Sequence, residues 1–292
     1  MTTRLLVPTD GSDPATAALE HAIDIAADQD GTIQVVYVAD TKEPSLTRLG
    51  GDVVDVLEQE GDEIANEAAA LAEDSGVSVT TDVVQGDPRT VLTEYATGDE
   101  FDFIVMGAHG RRGIGDYVLG SVTDCVVNRS EIPVLTVRAA EDATRAYPYD
   151  DVLVPTDGSD HATAALELGT TVAERHGATL HLLSVVDELP EVIDTESTEL
   201  SSQLEENVQE LLDDAESTAK RAGVENVTTA VTAGSVSREI TSYAEAEGID
   251  LVVMGTHGHT GLDRHLLGSF TDRVIRTSPV PVLTTRRGDE LE

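Results

Sequence analysis

The chain has 292 residues, 40% of them hydrophobic but only 3% aromatic and none of them tryptophan. That is aliphatic material for two small cores and, with no run of about 18 apolar residues, for no membrane span. Asp and Glu number 56 against 18 Lys and Arg, a formal charge of −38, which excludes a basic nucleic-acid-binding face, and the single Cys125 excludes a disulfide framework.

In the first half, Leu5–Val7 reads as a strand. Ala15, Leu19, Ile23 and Ala26 then recur at helical spacing. Ile33–Val38 is a second strand, followed by a polar loop with Gly50 and Gly51. A long helix is expected next, with Val53, Leu57, Ile64, Ala68 and Leu71 on one face. Val77–Val84 is a third strand, Thr90–Ala96 a short helix and Phe103–Met106 a fourth strand. After a glycine-rich loop come a helix from about Ser121 to Arg129 and a last strand, Val134–Val137. Met1-Thr2-Thr3-Arg4 leads straight into the first strand, so neither a signal nor a transit peptide is expected, and the expected location is cytoplasmic.

The second half repeats the first. LLVPTDGSD at 5–13 returns as LVPTDGSD at 153–160, VMGAHG at 105–110 as VMGTHG at 253–258, and IPVLTV at 132–137 as VPVLTT at 280–285. A period this long is a domain duplication rather than a solenoid. The second long helix carries Leu200, Leu204, Val208, Leu211 and Ala215. Nearly continuous apolar strands alternating with helices predict a parallel sheet buried on both faces. The expected fold is therefore α/β: two repeated doubly wound domains, 1–138 and 150–287, each with five parallel strands in order 3-2-1-4-5. The polar segment 139–149 between them reads as a linker. Ligands of such sheets sit beyond the carboxyl ends of the strands, at the switch in strand order.

In both halves a glycine loop follows the fourth strand. Gly107-Ala-His109-Gly110 is followed by nine residues and Gly120-Ser121; Gly255-Thr-His257-Gly258 is followed by nine and Gly268-Ser269. Glycines let main-chain N–H groups approach an anion, and Ser121 or Ser269 is expected as the helix N-cap. The helix start behind adds roughly half a positive charge. Together these make a phosphate cradle that needs no lysine.

These loops, together with the PTDGS starts, resemble the ATP-binding branch of the universal stress protein family in its tandem form. The resemblance implies ATP, ADP or AMP as ligand, with Mg²⁺ accompanying ATP. It places Pro8, Thr9, Asp10 and Val38 against base and ribose, and Gly107, His109, Gly110, Gly120, Ser121 and Thr123 around the phosphates, with Met106, Arg112 and Val122 alongside. The second site would use Pro155, Thr156, Asp157, Val185, Met254, Gly255, His257, Gly258, Gly268, Ser269, Phe270 and Thr271. Asp10 and Asp157 also suit an Asx-turn or cap before the next helix, a role compatible with the first. The resemblance further implies that the two last strands meet, making the monomer a pseudo-dimer and allowing a homodimer.

The duplicates differ after the second glycine. Arg111 and Arg112 follow Gly110, whereas His259 and Thr260 follow Gly258, so arginine forks toward terminal phosphates are expected in the first site alone. Thr256-His257-Gly258-His259 matches a nucleotidylyltransferase pattern, but follows the fourth strand rather than the first. His257, His259 and His265 have only His109 as a counterpart in the first half, so no metal is expected. Asp116 and Asp263 have no evident partner, and no catalytic residue is expected. The expected function is a nucleotide-binding module of the stress response, with a slow ATP hydrolase or phosphotransferase as the alternative. Residues 1–149 and 150–292 each hold 28 acids and 9 bases. Acidity spread this evenly reads as adaptation to a salt-rich cytoplasm, such as that of a halophilic archaeon.

Overall fold

A computed structural model describes residues 2–42, 46–49, 52–97, 100–111, 118–140, 143–186, 196–257 and 267–286. The chain divides into two compact units, Met1–Ala143 and Thr144–Glu292.

In the first unit, β1 (Arg4–Pro8), β2 (Thr32–Asp40), β5 (Ser78–Gly86), β6 (Phe103–Gly107) and β7 (Val134–Val137) form the sheet, with α1 (Asp13–Asp28), α2 (Val56–Asp74), α3 (Pro88–Tyr95) and α4 (Ser121–Arg129) between them. The strand order is β5-β2-β1-β6-β7, every pair parallel, which is the expected 3-2-1-4-5. The second unit repeats it with β8 (Asp151–Pro155), β9 (Thr179–Val186), β10 (Val227–Ala233), β11 (Leu251–Gly255) and β12 (Val282–Thr285), again all parallel, in order β10-β9-β8-β11-β12. Its helices are α5 (Asp160–His176), α6 (Glu196–Arg221), α7 (Val236–Glu247) and α8 (Ser269–Thr277).

The apolar runs are buried because they are central. Leu5, Leu6, Ile104 and Val105 in the first unit, and Leu153, Leu180, Leu182 and Val252 in the second, have no exposed surface. The edge strand β5 has no fully buried residue, only half-buried and exposed ones, as suits a strand with one neighbour.

Two expectations are corrected. The long helix starts at Val56, so Val53 lies not on a helix face but in an antiparallel hairpin of β3 (Leu46–Leu49) and β4 (Asp52–Asp55), register Leu46 to Asp55. Gly50-Gly51 between them in sequence is the hairpin signal. Ser121 and Ser269 are not caps: Gly120 and Gly268 hold the extended cap position, and neither helix start has a side-chain cap hydrogen bond. In α6 the buried face is Leu212, Ala215 and Ala219, and Leu211 lies half-buried beside it; the side chains of Leu200 and Leu204 lie outside the described residues.

Candidate functional site

At the end of β1 the chain turns sharply into α1. The Thr9 amide donates to Val36 O of β2 at 2.9 Å, continuing the ladder one residue past the strand. Thr9 Oγ1 accepts from the Gly11 N–H at 3.1 Å, and Asp10 Oδ1 accepts from the Ser12 N–H at 3.0 Å. Gly11 has φ +72°, the left-handed region that a side chain would strain. Ser12 is the N-cap, accepting from the Ala15 N–H. The second copy repeats every contact: Thr156 to Leu183 O at 2.8 Å, Gly158 (φ +78°) to Thr156 Oγ1 at 3.4 Å, Ser159 to Asp157 Oδ1 at 3.0 Å, Ala162 to Ser159 Oγ at 3.2 Å. Thr-Asp-Gly-Ser is thus a prefolded turn whose Asx-turn role for the aspartate is realised in both units.

Beyond β6 the chain leaves the sheet and is pinched back where it returns. Gly120 N–H donates to Ala108 O at 2.8 Å, and the buried Thr123 hydroxyl donates to Gly107 O at 2.9 Å. In the second unit Gly268 donates to Thr256 O at 2.9 Å and Thr271 to Gly255 O at 2.9 Å. These bonds pin the first turns of α4 and α8 beside the ends of β6 and β11. Thr123 and Thr271 therefore spend their hydroxyl protons on the frame. Besides the exposed Ser121 and Ser269 hydroxyls, they and their neighbours can offer a ligand main-chain N–H, on a helix start whose cap residue is a glycine with no side-chain hydrogen bond.

Glycine is sterically required around this frame. A Cβ on Gly107 would stand 2.8 Å from the Pro14 carbonyl carbon, and one on Gly255 2.7 Å from His161 O, so these two let the strand ends sit against the starts of α1 and α5. A Cβ on Gly110 would meet Asp10 Oδ2 at 2.3 Å; on Gly120, His109 Cα at 3.0 Å; on Gly268, Thr256 O at 2.9 Å. These three keep the loop close to the β1 turn and to its own base.

The remaining expected residues fall around the two crevices. Pro8 is buried and Pro155 half-buried at the strand ends, and Val38 and Val185 are half-buried near the carboxyl ends of β2 and β9. Met106 and Met254 are buried within the strands. Ser121 and Ser269 are exposed at the helix starts, Val122 half-buried and Phe270 41% exposed beside them. His109 is half-buried, and its Nδ1 is a buried atom with no hydrogen-bond partner among the described residues. His257 Nδ1 instead lies 3.1 Å from Thr256 Oγ1, its ring tilted against that of His161 with centroids 5.2 Å apart. Arg112, Asp116, Gly258, His259, Asp263 and His265 lie outside the described residues. Among the described residues no three His, Cys, Asp or Glu side chains come together as metal ligands.

The fork expected of Arg111 toward the terminal phosphates is instead engaged by an acid of α2, a partner that carries no motif. Arg111 donates its main-chain N–H to Asp10 Oδ2 at 2.9 Å, while its guanidinium pairs with Glu60 of α2. That hydrogen bond is the main reason the Arg111 pKa is raised above its usual value. The phenol pKa of Tyr37 in β2 is raised first by burial and then by Glu60. Asp10, Arg111 and Glu60 thus form one charged edge of the first crevice. His161, where the first unit has Pro14, is likewise unannounced in the sequence except as the residue after the β8 turn.

A family model described as the universal stress protein family matches residues 1–138 and again 148–286. The chain belongs to the universal stress protein family. A universal stress protein of Methanocaldococcus jannaschii is 33% identical over 138 residues, 46% of this chain and 81% of that one. A universal stress protein of Mycobacterium tuberculosis is 27% identical over 235 residues, 79% of this chain and 78% of that protein. Among solved structures, a universal stress protein from Archaeoglobus fulgidus has TM-score 0.70 and 26% identity, covering 99% of this chain and 97% of its own. The tandem arrangement of two stress-protein units is therefore shared over nearly the whole length. No helix among the described residues is long and apolar enough to cross a membrane.

Proposed function

We propose that this universal stress protein binds adenine nucleotide, ATP or its di- and monophosphate, at one crevice in each unit, as a regulatory or protective module rather than a catalyst. One observation carries the reading: in both units a helix start with a glycine cap is pinned beside a strand end by a buried threonine, Thr123 or Thr271, within a frame where a Cβ at Gly107, Gly255 or Gly268 would clash with backbone and one at Gly120 would crowd it. Main-chain N–H groups at a helix start suit the phosphates. The β1 and β8 turns, with Asp10 or Asp157, Val38 or Val185, lie where base and ribose would be met. Mg²⁺ would enter with ATP, held chiefly by phosphate oxygens, because the described residues bring no acidic ligand cluster together.

The first crevice has a carboxylate, Asp10, already accepting two main-chain N–H bonds, from Ser12 and Arg111. Its remaining lone pairs suit ribose hydroxyls or an exocyclic amine. A cytoplasmic protein in a salt-rich cell is the setting that the −38 charge supports, and a melting temperature that does not rise between dilute buffer and molar KCl would contradict it. The nucleotide reading is tested by mass spectrometry of small molecules retained through purification. Adenine nucleotide is expected; its absence, with no uptake from millimolar ATP, would end the reading.

A further inference from the structure

The guanidinium of Arg111, in the first glycine loop, is engaged on α2. Arg111 follows Gly110, yet one guanidinium nitrogen lies 2.9 Å from where a Cβ on Gly11 would be, on the β1 turn, and another nitrogen pairs with Glu60, one turn into α2. Its main-chain N–H is fixed on Asp10. The arginine thus runs from the loop across the β1 turn to α2, and its charge is matched there by a carboxylate.

The duplicate differs in sequence at both partners, with His259 at the place of Arg111. Ile64 and Leu211 occupy equivalent places, each being an apolar side chain over its turn glycine, 3.2 Å from where a Cβ on Gly11 would be and 3.0 Å from where one on Gly158 would be. Counting back four residues from each puts Asn207 where the first unit has Glu60. An amide cannot neutralise a cation as a carboxylate does, so the second unit has no carboxylate at the position of Glu60.

We propose that Glu60 sets the phosphate-number preference of the first site, by holding Arg111 on α2 and away from the terminal phosphates. The inference rests on the nucleotide reading. An arginine whose charge is already satisfied gains little by moving to a γ-phosphate, so the first site discriminates weakly between ATP and AMP although its loop carries arginine. Removing the carboxylate frees the fork for the more highly charged ligand. Both partners are partly exposed, with side-chain exposures of 46% and 39%, which bounds the effect to the modest range of a surface pair.

The test is calorimetric titration of ATP and of AMP into the full chain, wild type and Glu60→Gln, with the second site as internal reference. The ATP-to-AMP affinity ratio of one site is expected to rise about two- to fivefold in Glu60→Gln, with the other site unmoved. In an Arg111→Gln background the same substitution is expected to change nothing, which separates release of the arginine from simple loss of a negative charge. If both nucleotides bind and the ratio does not move, or moves equally without Arg111, the role of Glu60 is wrong and the nucleotide reading stands. If wild type binds neither nucleotide, the underlying reading is what has failed.

Discussion

The two units solve the same packing problem with opposite volumes, and exchanging the solutions is a quantitative test of the fold. In the first unit Tyr37, 7% exposed, packs with Ala39 and Ile64 against Leu57 and Val83. Gly61 of α2 lies over its ring: a Cβ there would be 2.6 Å from Cδ1, 2.8 Å from Cε1, and 3.0 Å from Val83 Cγ1. In the second unit, the residue after Leu183 of β9 is the small, buried Ser184, and the residue three before Leu211 is the half-buried Val208. Gly61→Val in the first unit forces the ring or the helix to move, costing about 1–3 kcal/mol, against only a few tenths regained from helix propensity. Tyr37→Ser empties the same space and is expected to cost about 3–5 kcal/mol, as large aromatic truncations do. Independent effects would sum to about 4–8 kcal/mol, but the valine enters the space the ring leaves. The double variant is therefore expected to fall short of that sum by about 2–3 kcal/mol, and to be more stable than Tyr37→Ser alone. Urea unfolding in molar KCl, followed by far-ultraviolet circular dichroism, measures all four proteins. Additive single effects, or Gly61→Val within about 0.5 kcal/mol of wild type, would refute the packing argument.

Two further predictions follow from single contacts. Thr123→Val removes the buried donor to Gly107 O and is expected to cost about 1–3 kcal/mol and to weaken nucleotide binding at the first site, with Thr123→Ser restoring most of both; thermal unfolding and titration check it, and an unchanged melting temperature would contradict it. Asp87, the N-cap of α3, has its pKa lowered first by the hydrogen bond from Lys42 and then by the Arg89 N–H. A depressed carboxylate contributes stability that is full above its ordinary range and lost as pH falls through its own lower midpoint. Carboxyl carbon NMR is expected to show that low midpoint, rising in Lys42→Met; a midpoint indifferent to the lysine would overturn the assignment.

What could be read from the residues, and what could not, divides along locality. Leu5–Val7, Phe103–Met106 and their repeats have no polar face, so only strands covered on both sides suit them, and the sheet follows from their alternation with helices. Thr-Asp-Gly-Ser and the paired glycine loops announce turns because their chemistry acts within a few residues. Errors arose where two local signals compete. Val53 stands four residues before Leu57, a helical spacing, although the Gly50-Gly51 pair between two short apolar runs favours a hairpin. Gly120 and Ser121 can both cap a helix, and the hydroxyl that does anchor α4 is that of Thr123, aimed at the strand instead. Glu60, Tyr37 and His161 were illegible for a different reason. Each matters only through a neighbour brought by the fold, Arg111 in the case of Glu60 being 51 residues away.

The central claim is that each unit grips polyphosphate with uncapped main-chain N–H groups at the starts of α4 and α8. Native mass spectrometry of the full chain with ATP in molar-strength volatile salt tests it directly. Two nucleotides per chain are expected, one in Gly120→Val, one in Gly268→Val and none in the double variant, with circular dichroism confirming that each variant is folded. Two nucleotides retained by a folded double variant, or none bound by wild type, would contradict it.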